Sequence, residues 1–217
     1  MDTVWENLHA ARHWGKYPAE NLIRTVMRTY RDPQVRAETK ILELGCGAGA
    51  NLSFFLAEGF QTYGIDGAPS AIAKAKQRLQ AGPNQTLNLS VQLFEEISFA
   101  DQSFDLIVDY YAIYANPVAV IDATYSKVRD LLTPNGRFYT RVWGTECTGA
   151  NTGKMIEPNT SKNPTAGPCK GMGVSHFFTR RELESRFSDW GDVQISRTLV
   201  EDYNGEVSEE FAVWVET

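Results

Sequence analysis

Three glycines at alternate positions follow a carboxylate in residues 43–49, which have the sequence Glu-Leu-Gly-Cys-Gly-Ala-Gly. The apolar residues at 41, 42 and 44 predict a buried strand before this turn, and the apolar spacing within 51–58 predicts a helix after it. A strand, a glycine turn and a helix together bring bare backbone N–H groups and a helix N-terminus against a ligand. Glycine suits the turn because it adopts positive φ and leaves room for a close approach.

Two ligand classes use such a turn. The dinucleotide fingerprint G-x-G-x-x-G/A is met loosely by Gly45, Gly47 and Ala50. Glu43 and a third glycine at Gly49 argue against a dinucleotide, because a carboxylate beside the turn would repel a pyrophosphate. A bare turn that only joins strand to helix is the structural alternative.

Glu-Leu-Gly-Cys-Gly-Ala-Gly resembles motif I of the class I S-adenosylmethionine-dependent methyltransferases. The resemblance implies S-adenosylmethionine as the cofactor and S-adenosylhomocysteine as its product. It implies that the carboxylate suits the cationic methionine end of the cofactor and its ammonium group. The cofactor contacts implied for this turn are Glu43, Gly45, Cys46, Gly47, Gly49 and Asn51.

Asp66 ends a second predicted strand, residues 60–66, at 21 positions after Gly45. An acid at that place accepts hydrogen bonds from a ribose in dinucleotide folds. Tyr-Gly-Ile-Asp-Gly at 63–67 resembles the post-I motif of the same family, which implies that Asp66 and Gly67 contact the cofactor. The alternative is that Asp66 caps the predicted helix 69–79, a role that Ser70 suits equally well.

Residues 93–99 (Leu-Phe-Glu-Glu-Ile-Ser-Phe) follow the third predicted strand and depart from the family pattern. Many relatives carry Asp-Ala-Glu-x-Leu-Pro-Phe here, and in them the Asp and the next backbone N–H bind the adenine. Leu93 replaces that Asp in this chain. Phe94 is therefore expected to flank the base, and Glu95 or Glu96 to bind its amino group.

Polar side chains cluster after the fourth predicted strand, at Asp109, Tyr110, Tyr111 and Tyr114. Ligands of doubly wound sheets bind beyond the carboxyl ends of the strands. By the resemblance, this loop faces the methyl group and the acceptor, and its first two residues also contact the cofactor. The alternative is that some of the tyrosines only fill a helix interface. The loop is not Asn-Pro-Pro-Tyr, which argues against DNA adenine and glutamine as targets.

His176 stands just before Thr179 and Glu182, which predict an N-cap and capping box for the last helix. A histidine there can accept a proton from an acceptor hydroxyl or amine. Tyr111 and Asp109 are the other candidate bases. A sulfonium is already a strong electrophile, so alignment of nucleophile, methyl and sulfur is the main task and a base serves only poorly acidic or protonated acceptors. A buried hinge is the alternative for His176.

The resemblance implies an α/β fold, a doubly wound, Rossmann-like sheet of seven strands that is parallel except for the last. The hydrophobic pattern independently supports alternating strands and helices in a doubly wound sheet. We expect one domain over 1–217. Residues 1–39 are expected to form a helical lid with Trp14 and Tyr17 at the ligand, or helices whose aromatics only pack on the domain. Residues 144–175, rich in Gly, Pro, Asn, Thr and Lys, are expected to be a substrate-side insertion, with disorder as the alternative.

Composition limits the partners. The net charge of −6 and pI near 5.2 argue against nucleic acid, and no segment reaches transmembrane length. Three cysteines without metal-ligand spacing indicate reduced thiols, a cytoplasmic location and no metal. The expected function is methyl transfer to an oxygen or nitrogen of a small molecule. The rivals are an S-adenosylmethionine-binding module without activity, an NAD-dependent oxidoreductase and a protein side-chain methyltransferase. The acceptor and the oligomeric state stay open.

Overall fold

The computed structural model describes residues 3–11 and 15–217. The helices in this part of the chain are α1 (Thr3–Ala11), α2 (Glu20–Thr29), α3 (Pro33–Glu38), α4 (Ala50–Ala57), α5 (Pro69–Arg78), α6 (Val118–Leu131) and α7 (Arg180–Arg186). The strands are β1 (Lys40–Leu44), β2 (Gln61–Asp66), β3 (Leu87–Val91), β4 (Phe104–Tyr110), β5 (Leu132–Trp143), β6 (Lys154–Glu157), β7 (Thr160–Lys162), β8 (Val174–His176), β9 (Asp192–Glu201) and β10 (Val207–Glu216). Short 3-10 helices cover Phe94–Glu96 and Ile113–Ala115. None of the helices in the described ranges is long and apolar enough to cross a membrane.

Seven of the described strands form one sheet in the order β3-β2-β1-β4-β5-β10-β9. β1 pairs in parallel with β2 and β4, β2 with β3, and β4 with β5, whereas β10 is antiparallel to both of its neighbours. The predicted mostly parallel sheet with an antiparallel last strand is confirmed. Crossover helices allow such parallel pairing.

Helices cover both faces of the sheet, as the alternation of apolar residues along β1 requires. Leu42 and Leu44 belong to a core cluster that includes residues of α6 and α7. Ile41, one position away, belongs to a second cluster with residues of α2, α4 and α5. Successive strand side chains point to opposite faces, so each face has its own core. These three side chains have no solvent exposure.

The strand register brings the chemistry-bearing residues to one edge. Leu44, the last residue of β1, pairs with Ile65 of β2 and with Asp109 of β4. The residues that follow each of these three strands therefore leave the sheet side by side. Parallel strands that end together form the crevice in which ligands of this architecture bind.

The insertion after β5 contains a small antiparallel sheet, β6-β7-β8. Its strands are three or four residues long and carry buried polar side chains, such as Thr160, Ser161 and Ser175, so they lack the apolar alternation that predicts strands. Glycine turns shape the rest: a Cβ on Gly149 or Gly167 would overlap the backbone of the opposite turn. The disordered alternative for this segment does not fit these contacts.

Candidate active site

A cavity of about 410 Å³ opens at the carboxyl edge of β1, β2, β4 and β5. Its wall includes the backbone of the glycine turn, the end of β2 and the first residues after β4. The segment after β3, α1 and the insertion contribute the remaining sides. The volume lies within the range of small-molecule sites.

The glycine turn is built for close approach. Gly45 has φ +66°, and a Cβ at this position would overlap the side chain of Ala112 in the loop after β4. Gly47 has φ +54°, lines the cavity and donates its N–H to Asp66 Oδ2 at 2.9 Å. Gly49 also has positive φ, is the N-cap residue before α4 and packs on Leu79, but it does not line the cavity. The turn therefore needs glycine for backbone conformation and for space.

Asp66 lies where β2 ends and is 6% exposed. In addition to the Gly47 contact, its Oδ1 accepts from the Ala68 N–H at 2.8 Å. Burial raises the pKa of Asp66, and these N–H groups and His9 oppose the rise. Both carboxylate oxygens of Asp66 can accept further hydrogen bonds from a ligand in the cavity, which Gly67 also lines.

Glu43 presents an unsatisfied carboxylate oxygen at the cavity. Its Oε1 accepts from Asn51 Nδ2 at 2.7 Å, whereas its buried Oε2 has no hydrogen-bond partner within the described residues. Burial raises the pKa of Glu43 to about 8, the Asn51 bond opposes this rise, and the charges of Asp109 and Asp66 add to it. An unpartnered buried carboxylate is costly, so this position favours a cationic ligand group. Asn51 and Cys46 line the cavity beside it.

The segment after β3 forms another wall. Gln92, Leu93, Phe94 and Glu95 all line the cavity. Phe94 and Glu95 are therefore where the sequence predicts them, and Leu93, the departure from the family pattern, presents an apolar side chain in the same wall.

Asp109 does not line the cavity and is fully buried. Its Oδ1 accepts from the N–H groups of Ala112 and Ile113 at 2.9 and 3.0 Å, and its Oδ2 accepts from Thr140 Oγ1 at 2.6 Å. Burial raises its pKa to about 6 against these bonds. The predictions that Asp109 is a base and a cofactor contact do not fit this position, because its oxygens shape the loop after β4.

Tyr111 lines the cavity, but its hydroxyl is engaged elsewhere. Arg141 Nε donates to the Tyr111 hydroxyl at 2.7 Å, and Arg141 pairs in turn with Glu210. Burial raises the pKa of Tyr111 above its ordinary value. Its ring stacks on Trp143 with centroids 4.2 Å apart and planes 13° from parallel. This geometry offers a ring to the cavity rather than a base. Tyr110, a predicted cofactor contact, also lines it.

His176 is 2% exposed and does not line the cavity. Its Nδ1 lies 2.7 Å from Thr160 Oγ1, and its Nε2 lies 2.8 Å from Glu182 Oε1. Both ring nitrogens are thus occupied in a link between β7, β8 and α7. The prediction that His176 accepts a proton from the acceptor does not fit this placement, in which the side chain is buried. The predicted cap of α7 is present, since Thr179 Oγ1 accepts from the Glu182 N–H.

The N-terminal segment brings Trp5 and His9 of α1 to the cavity. His9 is 7% exposed, its Cε1 lies 3.3 Å from where a Cβ on Gly47 would stand, and burial lowers its pKa. Tyr17 is 77% exposed and does not line the cavity, so it does not take the predicted ligand contact. Trp14 lies outside the described residues. The aromatic and histidine composition of residues 5–17 signalled a ligand contact, but it did not distinguish which members turn inward.

Comparison with known proteins identifies the family. Residues 36–177 match the family described as the methyltransferase domain. This chain belongs to that family. The predicted class I S-adenosylmethionine-dependent methyltransferase family, with S-adenosylmethionine as its cofactor, is confirmed.

Individual relatives agree with this assignment. An uncharacterized methyltransferase of Synechocystis sp. is 31% identical over 100 residues, which are 46% of this chain and 44% of that protein. Aklanonic acid methyltransferase DauC of Streptomyces sp. is 34% identical over 102 residues, 45% of each protein. Both alignments span less than half the length of these curated relatives. A solved S-adenosylmethionine-dependent methyltransferase of Methanosarcina mazei has the same fold, with a TM-score of 0.71 at 19% identity over 88% of this chain and 96% of that chain.

The far end of this methyltransferase's cavity was predicted from the sequence only in part, through Tyr114 and the position of the insertion. It is lined by residues from three separate segments, namely Tyr114, Ala115, Asn116, Trp143, Pro168 and Met172. Only the tyrosine stood in a stretch with a recognisable signal. Trp143 ends a strand, and the last two residues belong to the insertion, so nothing local indicates that they meet. The position of the insertion after β5 was the available clue.

Proposed function

We propose that this chain transfers a methyl group from S-adenosylmethionine to an oxygen or nitrogen of a small-molecule acceptor. The observation that carries this proposal is one continuous cavity with two unlike ends. The end at β1 and β2 has the glycine turn and the unpartnered Glu43 carboxylate, and the end at β4 and β5 carries Tyr111, Tyr114 and Trp143. The acceptor named for the relative DauC, aklanonic acid, is likewise a small molecule.

The cofactor-binding residues that we propose lie at the first end. Glu43 receives the ammonium group, and the bare backbone at Gly45, Cys46 and Gly47 allows the methionine part to approach closely. Asp66 accepts from the ribose, with Gly67 beside it. Phe94 flanks the adenine, with Leu93 beside it in the same wall, and Glu95 takes its amino group. The lid role of α1, in which Trp5 and His9 cover this end, belongs to the same proposal.

When bound, S-adenosylmethionine supplies a methyl group on a positively charged sulfur that leaves as a neutral thioether. The residues of this chain then have to exclude water and orient the acceptor. Asp109 and His176 are buried in hydrogen bonds outside the cavity, and Arg141 holds the hydroxyl of Tyr111. We therefore propose that the acceptor loses its proton to water rather than to these three side chains, so that its own acidity sets the rate.

Calorimetric titration with S-adenosylhomocysteine, and separately with NADH, tests the proposal. We expect micromolar binding of S-adenosylhomocysteine that Asp66→Ala weakens at least tenfold, because the ribose loses its acceptor. The matched control is Asp101→Ala, a carboxylate that is exposed and outside the cavity. Binding of NADH alone would replace the methyltransferase proposal with an oxidoreductase. If the protein binds S-adenosylhomocysteine but forms none of it from S-adenosylmethionine with any acceptor of a panel, it is a binding module without activity.

A further inference from the structure

Three aromatic side chains and a thioether form a continuous surface at the far end of the cavity. Tyr111 stacks on Trp143, and Tyr114 meets Trp143 edge to face with centroids 6.5 Å apart and planes at 86°. The Tyr114 hydroxyl lies 4.0 Å from Met172 Sδ. We call these four residues the aromatic wall. Flat aromatic and thioether surfaces attract other rings through area burial and through edge and face contacts.

The aromatic wall is held rigidly. Tyr111 has φ +58°, a conformation that is strained for a residue with a Cβ. Its N–H donates to the Arg141 carbonyl at 3.1 Å, and Arg141 Nε holds its hydroxyl. The adjoining N–H groups of Ala112 and Ile113 are bound by Asp109. The contacts that hold this strained conformation fix the plane of the Tyr111 ring. Because Trp143 stacks on Tyr111, the plane of its ring is fixed as well. A preorganised surface of this kind loses little entropy when a flat ligand binds.

Charge is distributed unevenly along the cavity. The carboxylates that line it, Glu43, Asp66 and Glu95, belong to the end proposed for the cofactor. Neither lysine nor arginine lines any part of it within residues 3–11 and 15–217. A phosphate or sulfate placed here would lose its hydration without a cationic partner, which is costly. The aromatic end therefore disfavours an acceptor with a strongly anionic group.

Asn116 supplies a polar group beside the wall. It lines the cavity, and its Nδ2 donates to the Ile113 carbonyl at 3.2 Å. That bond orients the amide and leaves Oδ1 as the atom that can accept from a hydroxyl or amine on an acceptor. Pro168 and Met172 close this end from the insertion, whose buried Cys169 packs in the same core as Tyr114.

We propose that the acceptor is a planar aromatic molecule without phosphate or sulfate, whose ring lies against the aromatic wall and whose hydroxyl or amine is held by Asn116. Trp143 and Met172 are its specificity-determining residues. This inference rests on the proposed methyl transfer, because it names the acceptor class of that site.

The test uses three matched probes with the protein saturated by S-adenosylhomocysteine. They are 2-naphthol, its saturated analogue trans-decahydro-2-naphthol, and 2-naphthyl phosphate, each titrated by calorimetry. We expect 2-naphthol to bind about three- to tenfold more tightly than the saturated alcohol, and the phosphate to bind most weakly. Trp143→Leu and Met172→Ala are expected to reduce the preference for the flat ring to less than about twofold. Trp214→Leu, a half-buried tryptophan on β10 outside the cavity, is the control and keeps the preference.

S-adenosylhomocysteine affinity separates this inference from the proposed function. If S-adenosylhomocysteine binds but 2-naphthol does not bind up to about 1 mM, the acceptor class is wrong and methyl transfer still stands. Equal affinity for the flat and saturated alcohols, or tightest binding of the phosphate, overturns the inference in the same way. A preference that survives in both Trp143→Leu and Met172→Ala removes the specificity role of these residues. Failure of S-adenosylhomocysteine itself to bind overturns the proposed function.

Discussion

Glu43→Gln is expected to stabilise the unliganded protein at alkaline pH and to weaken cofactor binding. The side chain keeps its shape, and its oxygen can still accept from Asn51. Burial raises the pKa of Glu43 from 4.5 to about 8. A carboxyl whose pKa is raised on folding contributes stability that is complete below its unfolded pKa and is lost as pH rises through its folded pKa. The window of this loss is therefore from about pH 4.5 to about pH 8.

The magnitude follows from the two pKa values. Between about pH 6 and pH 8.5, the ionisation of Glu43 removes roughly 2.5 kcal/mol from the free energy of unfolding. Water that enters the cavity shields the charge, so we expect about 1–2.5 kcal/mol in practice. Urea denaturation of both proteins at the two pH values measures this. The wild type should lose that much more stability than Glu43→Gln, and the exposed control Glu38→Gln should behave as the wild type.

Binding changes in the opposite direction. A cationic ammonium requires ionised Glu43, so wild-type affinity for S-adenosylhomocysteine should rise up to about tenfold per pH unit between about pH 6 and pH 8. Calorimetry in buffers of different ionisation enthalpy should show close to one proton released per ligand at about pH 6.5. Glu43→Gln should show weak, pH-independent binding and no such release. The reasoning is refuted if the variant and the wild type share one pH profile for both stability and binding.

Three further substitutions test other parts of the site. Gly45→Ala should abolish S-adenosylhomocysteine binding by calorimetry because its Cβ overlaps Ala112, whereas Gly59→Ala, which also has positive φ but open space around it, should lower only the melting temperature. His176→Gln should cost about 1–3 kcal/mol in urea denaturation because buried partners lose their bonds, with cofactor affinity changed less than about twofold; a large loss of kcat at unchanged stability would restore histidine as a base. Tyr111→Phe should keep at least about a third of kcat with any acceptor found, and the pH–rate profile should follow the acceptor's pKa; a loss of about a hundredfold would make its hydroxyl catalytic.

The parts of the site that the sequence predicted have local causes. The glycine turn and Asp66 each follow a strand that its own residues specify, and parallel register then places them together. A backbone that needs both positive φ and a close approach favours glycine, and a carboxylate beside it is visible within a few positions. Fold and cofactor-end geometry could therefore be predicted from short stretches.

The surroundings of the candidate bases could not be predicted, because solvent access and hydrogen bonding depend on distant residues. Asp109 lies one residue before the end of β4, at the expected edge. Its oxygens accept hydrogen bonds from Thr140 on the neighbouring strand and from the N–H groups of Ala112 and Ile113. His176 pairs with Thr160 across β7 and β8, two short strands that carry no apolar periodicity. Trp143 and Met172 of the aromatic wall were missed for the same reason, since they line one cavity only after the insertion has folded.

The same register that builds the site also concentrates negative charge. Glu43 is on β1 between the ends of β2 and β4, and the charges of Asp109 and Asp66 both raise its pKa. The protein keeps a buried oxygen there without a hydrogen bond, at a cost to its stability. A hydrophobic residue would remove that cost but would offer nothing to a cation. A ligand that brings a positive charge satisfies the oxygen and relieves the repulsion in one step. The free energy that the buried carboxylate costs the unliganded protein is thereby recovered as affinity for the cofactor.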